Sequence, residues 1–182
     1  MEKLNIEFVY AACTLFCAVV GAVYDVITHE IPNAFTLPAM VFALLLHFAF
    51  GGWRQLVASA AGGLCCGTIF LVFYLAGGMG AGDVKLITAA GCSAGIGLVA
   101  PLLIWTSLAG GVMAIGLALY RRRLKRTLIN LWVLVTHHRT AGLVPHPEFN
   151  VHNRQTLRLP YALAIAAGSA LSLCLLMMRV KL

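Results

Sequence analysis

Six stretches of this chain are each long and apolar enough to cross a bilayer, and nothing else in the sequence constrains the fold as strongly. They run over about 6–24, 34–50, 56–76, 84–100, 102–120 and 159–178. A spanning helix needs about 20 mostly apolar residues. In hydrocarbon, only helices and closed barrels satisfy every backbone N–H and C=O. The runs are continuous, which excludes the alternating pattern of a barrel strand. Composition points the same way. Hydrophobic residues make up 61% of the chain and charged residues 10%. A soluble protein of 19.5 kDa has too little interior to bury that much apolar surface. The expectation is an all-α integral membrane protein. It is a six-transmembrane-helix bundle forming a single membrane-embedded domain over residues 1–182.

The breaks between runs are Gly51-Gly52-Trp53-Arg54, the segment from Gly77 to Asp83, and Pro101. Near the N-terminus Glu2 and Glu7 stand beside a single Lys3. A secretory leader is basic there, so the first run reads as a retained helix. The net charge is +7, and its distribution speaks for lipid headgroups rather than nucleic acid. With six spans, one side of the membrane holds Lys3, Arg54, Arg179 and Lys181. The other holds Lys85, Arg121, Arg122, Arg123, Lys125, Arg126, Arg139, Arg154 and Arg158. Nine against four makes the second side cytoplasmic and turns both termini outward.

The stretch 121–158 is the one sizeable non-membrane region, a basic cytoplasmic loop. Residues 124–136 mix basic and apolar types and read as an amphipathic helix on the anionic inner leaflet, with Trp132 at headgroup level. All six cysteines (Cys13, Cys17, Cys65, Cys66, Cys92 and Cys174) fall in apolar runs, with no C-x-x-C pair. They read as small apolar filler, without metal or disulfide.

Acidic residues number only six, so their placement is informative. Asp25 closes the first run and Asp83 precedes the fourth, both at the cytoplasmic edge. Either one alone reads as a helix-end marker. Two on one side form a candidate dyad, because adjacent carboxyls cannot both ionise cheaply. Such a pair holds an acid and a base together, and it activates water without a metal or a covalent intermediate. Asp83 follows Gly77-Gly78-Met79-Gly80-Ala81-Gly82, a backbone able to turn tightly and to admit a substrate strand. Lys85, two residues on, either assists such a site or snorkels toward the headgroups. Asp83 is also placed to cap the following helix. His29 reads as a loop residue and His47 as a satisfied bundle histidine. No cofactor and no metal are expected.

Two motifs carry a family resemblance. Asp25 followed by Ile31-Pro32-Asn33, together with Gly80-Ala81-Gly82-Asp83-Val84-Lys85-Leu86, resembles the paired signatures of the type IV prepilin peptidases. Those are bacterial G-x-G-D intramembrane aspartyl proteases. Leu159-Pro160-Tyr161-Ala162 looks like a proline-containing element found at the same place in the family. The resemblance implies a catalytic pair Asp25 and Asp83, with Gly80, Gly82 and Lys85 in the active-site loop. It implies cleavage of the basic leader from a prepilin or pseudopilin at the cytoplasmic face of the bacterial inner membrane. Without a zinc-binding cysteine domain, the chain resembles the short form associated with Flp-type or tight-adherence pili, and methyl transfer is not expected. Two other classes stand beside this reading. One is a small proton-coupled transporter. The other is a non-catalytic subunit of a pilus or secretion machine.

Overall fold

A computed structural model describes residues 2–122, 124, 125, 129, 132, 133, 136, 137, 142 and 160–181. Among these residues there are five helices and no strand. They are α1 (Glu2–Thr28), α2 (Asn33–Leu75), α3 (Ala81–Ala94), α4 (Ile96–Tyr120) and α5 (Tyr161–Lys181). Four of them, all but α3, are long and apolar enough to cross a membrane. The expectation of an all-α membrane protein holds at that level, but the count of six separate helices does not.

Two particulars account for the difference. The 43 residues of α2 cover both the second and the third expected spans. Helical backbone is interrupted inside it at Gly52, where φ is +62° and ψ is −154°, a conformation open to glycine and strained for other residues. The second particular is the break after α3. The sequence suggested Pro101, yet Pro101 lies inside α4. The chain turns instead at Gly95, with φ +66° and ψ 163°. Proline removes one hydrogen-bond donor and is tolerated near a helix start, whereas the reversal needs a positive φ. Ending there leaves α3 only 14 residues long, or about 21 Å.

Contacts give each leg a direction. His47, before Gly52, bonds Ser93, and Ser59, after it, bonds Cys92. The two halves of α2 therefore meet the same end of α3, and α2 is a hairpin folded at Gly52. Its first half enters beside the start of α3, where Ile31 lies against Gly82. Its second half returns past Thr88, which faces Gly67. On α1, Tyr10 stacks on His47 while Gly21 meets Leu86, so α1 runs antiparallel to α3. On α5, Tyr161 lies by Gly110 and Gly168 by Thr106 of α4, so α4 and α5 are antiparallel too. The chain thus makes six legs that alternate in direction.

The short α3 sits at the centre and touches all four other helices. Leu86, Ile87, Ala89 and Ala90 are fully buried. The outward faces carry exposed Phe16, Phe42, Leu64, Ile104 and Val112, the surface expected of a bundle whose solvent is lipid. The expected amphipathic helix at 124–136 lies largely outside the described residues. Those described within it, including Ile129 and Trp132, are helical, and both of these side chains are exposed.

Candidate active site

Asp25 and Asp83 come together through helix register. Gly21 and Leu86 pack so closely that a Cβ on Gly21 would collide with the Leu86 side chain. Asp25 lies four residues beyond Gly21 on α1, on the same helix face. Asp83 lies three residues before Leu86 on α3, again on the same face. Because the helices run in opposite directions, both steps lead toward the same end of the bundle. The climbs are about 6 Å and 4.5 Å, so the two carboxyls stand at nearly one level. Both are half-buried.

Asp83 occupies the first turn of α3, outside the four long spans. Its Oδ2 accepts a hydrogen bond from the Gly80 N–H at 3.3 Å. That is one half of a capping box, since Gly80 has no side chain to return the bond. The N-cap is therefore Gly80 rather than Asp83, which stands three residues on and supports the cap from inside the first turn. The remaining motif residues are more helical than a loop: Gly80 is the N-cap, and Gly82 and Lys85 lie within the first turns of α3. Gly82 faces inward, and a Cβ there would stand 3.3 Å from Ile31 Cβ. The Ile31-Pro32 turn approaches α3 closely because this position carries no side chain. Ile31 and Met79 are both buried and belong to the core cluster that includes Leu86 and Ile87. Lys85 is half-buried.

The electrostatics follow from this placement. Burial, then the neighbouring Asp25 charge, push the Asp83 carboxyl up to about 6, with the Gly80 N–H opposing the rise. Of the two physical causes, desolvation dominates and the like charge adds to it. The starts of α2, α3 and α5 gather at this same end, so three positive dipole ends share it with the carboxyls. His29 lies just beyond α1 as the sequence suggested, with φ +54°. Its N–H donates to the Asp25 carbonyl at 3.0 Å, and its ring lies within electrostatic reach of the Asp25 carboxyl.

One neighbour was not legible from residue types. Tyr161, the first residue of α5, lies within electrostatic reach of Asp83. The sequence singled out its segment only through the proline-containing resemblance. Nothing short of the α5 register places that ring at the site. His47, by contrast, belongs to the opposite end. Its Nε2–H donates to the Ser93 carbonyl at 3.1 Å, and its ring lies flat on Tyr10 with centroids 3.6 Å apart. Among the described residues no group of three or more His, Cys, Asp or Glu side chains is arranged to hold a metal ion.

Comparison with known proteins adds an independent line. No solved structure and no functionally described protein gives a significant match. A family model for type IV leader peptidases matches residues 11–115. That is more than half of the chain, and it takes in Asp25, Asp83 and the glycine run between helices. The two aspartates brought level by Gly21 and Leu86 thus fall inside the matched segment, and the chain belongs to the type IV leader peptidase family.

Proposed function

We propose that this protein is an intramembrane aspartyl peptidase that removes the basic leader of Flp-type prepilins or pseudopilins. Cleavage takes place at the cytoplasmic face of a bacterial inner membrane. The observation that carries the reading is the common level of Asp25 and Asp83, set by the Gly21–Leu86 contact.

In this mechanism Asp83 holds the shared proton and Asp25 is the base. Asp25 takes a proton from water, and the hydroxyl oxygen adds to the scissile carbonyl carbon. Asp83 gives its proton to the carbonyl oxygen, which leaves a neutral gem-diol. On breakdown one diol hydroxyl returns its proton to Asp83. Asp25 passes its proton to the leaving nitrogen, the C–N bond breaks, and both carboxyls regain their starting states. The raised Asp83 carboxyl suits the acid role, since it keeps a proton where an ordinary aspartate has lost it.

The six alternating legs, with the short α3 enclosed by the others, support the expected topology: the 121–158 loop and the dyad on the cytoplasmic side and both termini outside. Anionic headgroups face the basic residues of that loop. A prepilin leader is itself basic and ends where an apolar helix begins, so its scissile bond arrives at the membrane edge. A proton-coupled transporter places its carboxylates near the bilayer midplane, whereas Asp25 and Asp83 stand at helix ends. Co-expression with a Flp-type prepilin tests the reading by a gel shift for the lost leader. Wild type should process it, and Asp25→Asn and Asp83→Asn should not.

A further inference from the structure

The register of α5 raises a question that the dyad leaves open. The two carboxyls activate the water and move the protons, but the carbonyl oxygen of the scissile bond gains charge as water adds, before the Asp83 proton has reached it. A donor aimed at that oxygen lowers the barrier more than it aids binding. Tyr161 is placed to be that donor.

The placement follows from packing. Low in the bundle, Ala11 and Thr14 of α1, Ala94 of α3, Leu98 and Leu102 of α4, and Ser169 and Ser172 of α5 border one small cavity. From that level Asp83 lies eleven residues back along α3, a climb of about 16 Å. Tyr161 lies eight residues back along α5 from Ser169, a climb of about 12 Å. Helical side chains lean toward their own N-terminus, which for Tyr161 is the site end. A phenol reaching beyond its Cα closes the remaining gap. The ring packs against α4 at Gly110, where even a Cβ would stand at ordinary contact distance, 3.6 Å, from the ring edge. Pro160 precedes the helix, and its carbonyl accepts the Leu163 N–H at 3.0 Å, so the ring is held at a capped helix start. Ala162 and Ile165, just after it, are fully buried and anchor that start in the core.

The phenol is therefore positioned but unspent. It has no hydrogen-bond partner among the described residues, and Tyr161 is half-buried rather than sealed in the core. The Asp83 carboxyl lies within its electrostatic reach.

We propose that the Tyr161 O–H is a third polar group of the active site, donating a hydrogen bond to the scissile carbonyl oxygen while the peptide lies between Asp25 and Asp83. The proton stays on the phenol throughout, and the transfers are those of the dyad. This role rests on the peptidase reading above. A purely structural tyrosine would use its ring alone.

Tyr161→Phe keeps the ring against Gly110 and removes only the O–H. Purified wild type, Tyr161→Phe and Asp83→Asn are assayed together on one prepilin, with folded protein quantified in each preparation. The expected result is a fall in kcat of about 100-fold for Tyr161→Phe, the size seen when one oxyanion donor is lost. KM should stay within about twofold and the melting temperature should not change. Near-wild-type kcat for Tyr161→Phe, with Asp83→Asn inactive, overturns the role of Tyr161 and leaves the dyad standing. A lower yield of folded Tyr161→Phe with unchanged kcat also overturns it. Cleavage by Asp83→Asn overturns the dyad itself and this role with it.

Discussion

The two ends of α3 are built to different rules. At its C-terminal end the neighbours are in backbone contact. A Cβ on Gly62 would stand 2.5 Å from the Gly91 carbonyl oxygen, and one on Gly91 would stand 2.7 Å from that of Gly62. Ser59 donates to the Cys92 carbonyl at 2.7 Å, and His47 to Ser93. Small residues at such a seam let helices approach where lipid offers no hydrophobic drive. At the N-terminal end the same helix carries a half-buried carboxylic acid, beside exposed Tyr24, Ile27, Thr28 and His29. A tightly packed seam thus holds a carboxyl group at a fixed height, while the residues around it stay exposed. Burial is complete along the seam and partial around the two carboxyls, as the proposed hydrolysis, which needs water, would require.

The largest test of this contrast removes charge from the open end. Asp83→Asn and Asp25→Asn each keep side-chain size and delete an ionisable carboxyl. Each should lower leader cleavage by about a thousandfold or more, equal to about 4 kcal/mol of barrier, while membrane abundance stays at wild-type level. A single mutant that still processes prepilin rapidly would separate the two ends of α3 from catalysis altogether.

Breaking the welded end should do the reverse. Gly91→Val forces a branched side chain into the Gly62 backbone and Cys66, and neither the backbone nor a buried neighbour can swing away. Overpacking of this kind costs about 3 kcal/mol. Less folded protein is expected in the membrane, with unchanged activity per folded molecule. Measuring yield and specific activity on the same membranes decides between the two.

Acidity gives a graded test. Asp83 is lifted from 3.8 to about 6, so its proton is present below that value and is lost above it. In the free enzyme kcat/KM should fall about tenfold per unit on the alkaline side of about 6. The kcat profile should break at a higher pH, because bound substrate excludes water. Stability carries the same sign. Protonated Asp83 favours the folded state, so stability declines as pH rises from about 4 to about 6. An alkaline limb that is identical in Asp83→Glu and wild type would assign the titration to another group.

Smaller effects probe the joint between the two regimes. Gly82→Ala brings a methyl to 3.3 Å from Ile31 Cβ. It should push the Ile31-Pro32 turn outward and slow cleavage several-fold, with little change in folded yield. At the far end Tyr10 is buried, and its hydroxyl has no partner among the described residues. Tyr10→Phe keeps the stack on His47 and deletes that unpaired group, so thermal stability should hold or rise by less than about 1 kcal/mol. A large loss on removing the hydroxyl would mean that the seam depends on a bond not made within it.

Much of this protein is written locally. Apolar runs determine the membrane-spanning legs because each must satisfy its own backbone in lipid. Two scarce aspartates at the ends of such runs, one behind four glycines, mark the proposed site. Gly52 was visible as a break for the same reason. Other features arise only between distant segments. Pro101 looked like the stronger breaker, yet the turn falls at Gly95, where a positive φ lets the chain reverse over His47. The level of Asp25 against Asp83 depends on Gly21 meeting Leu86, 65 positions apart. The place of Tyr161 depends on α5 docking beside Gly110. Hydropathy and spacing report each residue's solvent and its helix face. Which faces meet, and at what height, is decided by the shapes of side chains far apart in sequence, so that part belonged to the tertiary structure alone.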